Sequence, residues 1–281
     1  MVNSPEKPGK LYIVSLPIGN LEDITLRGIR ALHQVDRVVA EDSRHTRRVL
    51  DRYRIKTPLT TSYYQGVEKE RVEPLLSILR EGRDLALVSD AGTPLISDPG
   101  YPLLRAALGE GIEVIPIPGP TALIAALVAS GLSVARFIFD GTPPRKAGER
   151  RTYLEAIREE RRTVVLYESP HRILTTLQQL AEILPQRRIV IARELTKIHE
   201  EFLRGTPEKL LRTLKKRDAV RGEYVILIEG AQKKEEKASA AAGRLAAILS
   251  RENISNKAAV RIIASWFDIP RNEAYRLVHF D

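Results

Sequence analysis

A chain of 281 residues, 43% hydrophobic and 29% charged, has the length of two ordinary domains and a globular composition, which excludes a mini-protein, a fibrous repeat and long disorder. The lack of cysteine excludes disulfides and thiolate chemistry, and five histidines, none at zinc-helix spacing, argue against a dedicated metal site. A formal charge of +9 favours a polyanionic partner, nucleic acid first, while only 5% aromatic residues argue against a broad base-stacking platform.

Lys10 to Ser15 reads as a strand, broken by the turn residues Leu16-Pro17-Ile18-Gly19-Asn20. A helix is predicted over Asp23 to Leu32, a strand over Arg37 to Ala40, a helix over Arg71 to Arg80 and a buried strand over Leu85 to Val88. Helix Tyr101 to Leu108 and strand Glu113 to Ile115 follow, and this alternation points to a parallel α/β sheet. The prolines of Pro116-Ile117-Pro118-Gly119-Pro120 mark an interior boundary, dividing residues 1–117 from 118–231. Beyond it the pattern restarts: helix Thr121 to Ser130 capped by Gly131, strand Arg136 to Phe139 and helix Arg151 to Glu160. Strands Thr163 to Tyr167, Arg188 to Ala192 and Tyr224 to Glu229 then enclose helices Ile173 to Leu184 and Pro207 to Lys215. Gln232 to Lys237 is a charged linker, and 238–281 is a helical module, with Ser255 and Pro270 as helix starts. Leu245, Ile248, Leu249, Val260, Ile262, Ile263, Trp266 and Phe267 supply its expected core.

The longest apolar stretch, Ala122 to Ala129, is too short to cross a bilayer, and Met1 to Lys10 has no apolar signal core, so a cytoplasmic protein without a membrane partner is expected. Positive charge concentrates in two places. Arg204 to Arg221 holds seven basic residues, and Arg27 to Arg54 holds eight arginines against four carboxylates.

Ligands of open α/β sheets sit at strand carboxyl ends, and five loops there have unusual sequences: residues 16–20, 89–93, 118–122, 167–172 and 193–197. Neither a G-x-G-x-x-G run nor a P-loop occurs, which disfavours nicotinamide and Walker-type chemistry and leaves a ligand held by backbone groups, hydroxyls and an apolar wall.

The runs Leu16-Pro17-Ile18-Gly19-Asn20-Leu21-Glu22-Asp23-Ile24-Thr25, Ala40-Glu41-Asp42-Ser43-Arg44, Ser89-Asp90-Ala91-Gly92-Thr93-Pro94-Leu95-Ile96-Ser97-Asp98-Pro99-Gly100, Pro118-Gly119-Pro120-Thr121-Ala122 and Tyr167-Glu168-Ser169-Pro170-His171-Arg172 occur in order. Together they resemble the bacterial 16S rRNA ribose 2′-O-methyltransferases of the tetrapyrrole methylase superfamily, from about Gly9 to Gly230, and the helical tail resembles that family's carboxyl-terminal module. The resemblance implies two α/β domains of the tetrapyrrole methylase type with a small C-terminal helical module, a homodimer, and S-adenosylmethionine as cofactor. The implied reaction is methylation of a cytidine 2′-hydroxyl in the decoding region of 16S rRNA, free or in the small ribosomal subunit. Carried over by position, cofactor contacts come from Leu16, Pro17, Ile18, Asp90, Gly92, Thr93, Ile96, Ser97, Thr121, Ala122, Tyr167, Ala192 and Arg193. Two departures are Ser43, where threonine is common, and Tyr63-Tyr64-Gln65-Gly66 after Thr61, where a histidine-containing run is usual.

A sulfonium methyl is already activated, so the protein must chiefly align the ribose oxygen and accept its proton. Glu41, Asp42, Glu168 and Glu194 are the candidate catalytic carboxylates, with Arg44 beside them; Asp90 and His171 are further proton acceptors by type. Ion pairing competes as a role for Asp42 with Arg44 and for Glu194 with Arg193 and Lys197, and His171 suits a hydrogen bond within its own loop. Arg44, Arg172, Arg193 and Lys197 suit phosphate contacts. Two other readings compete: a small-molecule tetrapyrrole methylase, disfavoured by the basic charge, and a non-catalytic rRNA-binding assembly factor, disfavoured by the intact loop set.

Overall fold

The computed structural model describes residues 7–60, 62–64, 66–232, 238–252 and 254–279. Most of the leading segment 1–10 and of the linker 232–237, together with Thr61 and Gln65, lies outside them. In chain order the elements are β1 (Leu11–Val14), α1 (Leu26–Gln34), β2 (Arg37–Ala40), α2 (Ser43–Arg52), α3 (Glu68–Arg80), β3 (Leu85–Val88), α4 (Tyr101–Gly109) and β4 (Val114–Ile117). Then come α5 (Ala122–Ser130), β5 (Phe137–Phe139), α6 (Ala147–Ala156), β6 (Thr163–Glu168), α7 (Ile173–Ile183), β7 (Ile189–Arg193), β8 (Glu201–Gly205), α8 (Pro207–Lys215) and β9 (Tyr224–Ile228). Three helices close the chain: α9 (Ala238–Arg251), α10 (Asn256–Phe267) and α11 (Arg271–Val278).

The first sheet has the order β2-β3-β1-β4 and is parallel throughout. Its strands read as unbroken apolar runs because both faces are covered. Leu11, Val39, Leu85 and Leu87 pack one face with α3 and α4, while Val14, Val38, Ala86 and Val88 pack the other with α1 and α2. Successive side chains thus alternate between two cores. β4 extends past the predicted Ile115 through Pro116, opposite Ile13. This is an edge strand, where a residue lacking an N–H is tolerated.

Helix α1 starts three residues later than its apolar spacing suggests, because the Thr25 hydroxyl accepts the Gly28 amide at 3.0 Å and residues 21–23 form a separate 3-10 turn. Helix α2 has no counterpart in the sequence reading. Asp42 caps it by accepting the Arg44 amide at 2.8 Å, and only Thr46, Val49 and Leu50 turn inward, a narrow stripe hidden among charged residues.

The second sheet, β5-β6-β9-β7-β8, is mixed: only β5 and β6 are parallel. The apolar α5 lies against one face through Leu123, Ala126 and Leu127, beside Val165, Val190 and Val225. Helices α7 and α8 cover the opposite face. Edge strand β8, also unforeseen, carries Arg204, whose guanidinium donates to the Ser130 and Ala129 carbonyls at 3.2 and 2.6 Å and so closes the end of α5. α6 begins four residues before the predicted Arg151 and ends in a 3-10 turn at Ile157–Glu159.

Residues 1–231 form one compact unit and 232–281 another. In the second unit Ala242, Ala246, Ile263 and Ala274 are buried, flanked by Leu245, Leu249, Val260 and Phe267. Trp266 and Ile248, expected in that core, are instead 78% and 54% exposed, because small alanines fill the helix contacts. Among the described residues no helix is long and apolar enough to cross a membrane.

Candidate active site

The carboxyl ends of the two sheets' strands meet around one cavity of about 460 Å³. Its wall takes Ile18 from the loop after β1, Glu41 from the end of β2, and Asp90, Gly92, Thr93, Ile96, Ser97 and Asp98 from the segment after β3. Thr121 and Ala122 come from the start of α5, and Tyr167 and Glu168 from the end of β6. Hydroxyls tie the loops together: Ser15 Oγ and Thr93 Oγ1 are 2.9 Å apart, and Thr93 donates to the Pro120 carbonyl at 3.1 Å. Leu16 and Gly92 exchange two backbone hydrogen bonds of 2.8 and 2.9 Å.

Gly92 has φ +77, and a β-carbon there would sit 3.3 Å from Ile18 Cγ2, so only glycine holds this close approach without strain. Gly19 is equally constrained, since a β-carbon would meet Leu195 O at 2.7 Å; its neighbour Asn20 donates its amide to Thr196 Oγ1 at 2.9 Å. Leu95, Ser97, Glu194 and Thr196 hold positive φ although none is glycine, and all four lie on the two loops bordering the cavity.

Several residues singled out from sequence stand back from the wall. Leu16 is fully buried behind Gly92, with Pro17 next to it, and Ala192 is packed into the core beneath α5. Arg193 donates to the Arg221 carbonyl at 2.7 Å and pairs with Glu201. Conversely Thr142, Glu223, Tyr224 and Val225 line the cavity without having been singled out. Only strand carboxyl ends were expected to carry ligands, whereas β9 runs antiparallel to β6 and β7, so its amino end lies beside their carboxyl ends: Tyr224 pairs with both Glu168 and Arg193.

The candidate carboxylates separate sharply. Asp42 accepts the Arg44 amide and guanidinium, which hold it at about 2, so it is a poor proton acceptor, and Arg44 is spent on that pair. Glu168 is buried and accepts from Thr176 Oγ1 at 2.6 Å and from the Ser169 amide, with Arg172 at 3.3 Å. Burial raises Glu194, but the Lys197 ammonium and the Glu223 amide outweigh it and leave its carboxyl below the usual range. Both act as braces for their loops. His171 is exposed, with no hydrogen bond to its own loop among the described contacts. Arg172 donates to the Pro143 and Pro144 carbonyls, and Lys197 bridges Glu194 and Glu223, so neither is open to a phosphate.

Glu41 is different. Half-buried on the cavity wall, it is pushed up to about 7, first by burial and then by the Asp90 and Asp98 carboxylates. Asp98 rises to about 6, chiefly by burial. Asp90 accepts the Asp42 amide at 2.8 Å and meets His45 Nδ1 at 3.2 Å, which fixes the acidic wall to the first turn of α2. A carboxyl that titrates near neutrality in a cleft can exchange a proton with a bound hydroxyl. Of the tyrosines after Ala40, Tyr63 is buried and donates its amide to the Ala40 carbonyl, while Tyr64 is half exposed.

Residues 10–211 match the model of the tetrapyrrole (corrin/porphyrin) methylases. Ribosomal RNA small subunit methyltransferase I of Halalkalibacterium halodurans is 41% identical over 276 residues, covering 96% of this chain and 95% of that protein. Among solved structures, the methyltransferase CobJ superposes with a TM-score of 0.60 at 21% identity, covering 79% of this chain and 95% of that one. A uroporphyrin-III C-methyl transferase from Thermus thermophilus, complexed with S-adenyl homocysteine, gives 0.56 at 19% identity over 78% of this chain and 97% of its own. These two likenesses establish the fold. The family match over most of the chain, with a full-length relative above 40% identity, makes the chain a member of the tetrapyrrole methylase family and, within it, of the ribosomal RNA small subunit methyltransferase I group.

Proposed function

We propose that the chain transfers a methyl group from S-adenosylmethionine to the 2′-hydroxyl of a cytidine in 16S rRNA, with Glu41 accepting the proton. The observation that carries this reading is Glu41 itself, a half-buried carboxyl pushed to about 7 on the wall of the cavity. The cavity suits the cofactor. Its volume lies in the range of small-molecule sites, and Gly92, Ala91 and Ala122 leave backbone approachable while Thr93, Thr121 and Tyr167 supply hydroxyls. Ile18, Gly92, Thr93, Ile96, Ser97, Thr121, Ala122 and Tyr167 would hold S-adenosylmethionine, which supplies a methyl group on a sulfonium leaving group. Tyr167 is itself fixed, its hydroxyl accepting the Leu123 amide at 3.1 Å. Ionised Glu41 would take the 2′-hydroxyl proton as the ribose oxygen attacks, and Asp90 and Asp98 keep its basicity near neutral. Labelled S-adenosylmethionine should mark small ribosomal subunits lacking the modification and leave a porphyrinoid unmarked; the reverse would make the chain a tetrapyrrole methylase.

Residues 1–117 and 118–231 would serve as the two domains of the methylase, working as a homodimer in the cytoplasm, where the subunit substrate resides. Leu26, Ile124, Val128 and Ile198, all exposed, supply apolar surface for a second copy. The 238–281 module would dock the substrate: Lys257, Arg261, Arg271 and Arg276 line one concave face, where the Tyr275 and His279 rings stack 3.9 Å apart. A chain ending at Ala231 should therefore stay dimeric by light scattering and keep its S-adenosylmethionine affinity, yet bind small subunits at least tenfold more weakly at low salt. Equal subunit affinity would remove the docking role, and unfolding would make the module a stabilising cap.

A further inference from the structure

The outer face of α2 carries Arg44, His45, Arg47, Arg48, Asp51 and Arg52, with Arg54 just beyond. Arg44 is paired with Asp42, but Arg47, Arg48, Arg52 and Arg54 have no carboxylate within 4 Å among the described residues. Arg44, Arg48 and Arg52 follow at i, i+4 and i+8, a stripe about 12 Å long. Like charges at this spacing repel by a few tenths of a kcal/mol per pair. Asp42 on Arg44 and Asp51, on the same face, offset only part of that repulsion.

Three cations on the loops around the cavity are already used. Arg172 holds two carbonyls, Arg193 pairs with Glu201, and Lys197 bridges two glutamates. The second basic cluster of the sequence is also partly consumed, since Arg204 closes α5, Arg212 pairs with Glu208 and Arg217 with Glu201. The α2 face is therefore an open basic surface with a fixed connection to the site. Glu41, on the cavity wall, precedes the capping residue Asp42, whose amide bonds Asp90, and His45 in the first turn meets the same carboxylate.

We infer that the arginine face of α2 binds the phosphate backbone of the RNA strand whose ribose enters the cavity, holding that strand in register with Glu41. The inference rests on the rRNA methyltransferase reading above. The occupant is argued from charge: a strand of phosphates neutralises Arg47, Arg48, Arg52 and Arg54, which have no carboxylate within 4 Å among the described residues, and releases counterions. Arginine's planar fork also holds the strand at a set orientation without reading its sequence. The partner's contacts fall on backbone, so the stripe positions the substrate while the cavity selects the atom.

The test uses the full chain. In Arg47→Gln/Arg48→Gln/Arg52→Gln, KM for small subunits should rise at least 30-fold at low salt, with S-adenosylmethionine affinity within twofold of wild type. The slope of log affinity against log salt should shrink by about 2 to 3, one for each phosphate contact removed. A matched variant, Lys209→Gln/Lys215→Gln/Lys216→Gln on α8 and its C-terminal cap, removes the same charge away from the cavity and should change KM no more than threefold. Equal KM effects of the two variants would reduce α2 to part of the general field and overturn the inference. So would tighter retention of polyglutamate than of an rRNA fragment by the α2 face, which would assign an acidic protein as its partner. Failure of the wild-type chain to methylate any small subunit would overturn the functional reading instead; loss of rRNA-fragment binding in the α2 variant alone would still support the surface.

Discussion

Gly92→Val should abolish measurable S-adenosylmethionine binding, by calorimetry at least 100-fold weaker, while leaving a folded chain. Valine must adopt φ +77, a conformation that costs an L side chain on the order of 1–2 kcal/mol and a β-branched one more. Its β-carbon would press on Ile18 at 3.3 Å, and both residues line the cavity, so relief comes by moving the wall. The paired hydrogen bonds to Leu16 hold the loop from behind and prevent it from retreating. A fall of a few degrees in Tm is expected beside the loss of binding. Wild-type affinity in a folded variant would take residues 89–97 out of the cofactor site.

Glu41→Gln should lower kcat about 100-fold or more, the scale of a lost general base, with cofactor affinity nearly unchanged. In the wild type, kcat should rise with pH and level off above about 7, because Glu41 must be ionised to accept a proton. Stability runs the other way. The folded state holds Glu41 at about 7 against 4.5 for a free glutamate, so it binds more protons than the unfolded chain between those values. Stability from this group is present below about pH 4.5 and is lost as pH rises through 7. The half-exposed site reduces the effect to on the order of 1 kcal/mol. Glutamine removes that penalty, so the variant should melt higher than wild type at pH 8 and alike at pH 4.5. A variant with full activity, or one less stable at pH 8, would take Glu41 out of the base role.

The parallel sheet was readable because a strand buried on both faces leaves a continuous apolar run: β2 and β3 fall on their predicted residues. Helix α2 was not, since a cap and three inward residues are a weak signal among six charged or ionisable ones. β8 was missed for a related reason: as an edge strand with Arg204 and Glu201 it has no apolar run. For the site, five loops were visible as breaks after strands, four of them bearing glycine or proline, and all five supply residues to the cavity wall. What the sequence could not convey is which role, ion pair or proton acceptor, each carboxylate takes. The pairs Asp42–Arg44 and Glu194–Lys197 were local enough to be named from sequence, but the Thr176 hydroxyl on Glu168, the Glu223 amide on Glu194 and the burial beside Asp90 and Asp98 that leaves Glu41 near neutrality come only with the fold. Residues 223–225 were hidden because strand direction in a mixed sheet does not follow from a hydrophobic pattern.

A ribose oxygen of ribosomal RNA as methyl acceptor leaves a signature that mapping the label reads out. Small subunits lacking the modification, incubated with the protein and methyl-labelled S-adenosylmethionine, are stripped of protein and the rRNA is hydrolysed in alkali. A methylated 2′-oxygen blocks alkaline cleavage at that position, so the label should appear in an alkali-resistant dinucleotide that begins with cytidine. Label released in a single nucleotide would place the methyl group on a base and rule out the ribose 2′-oxygen as acceptor.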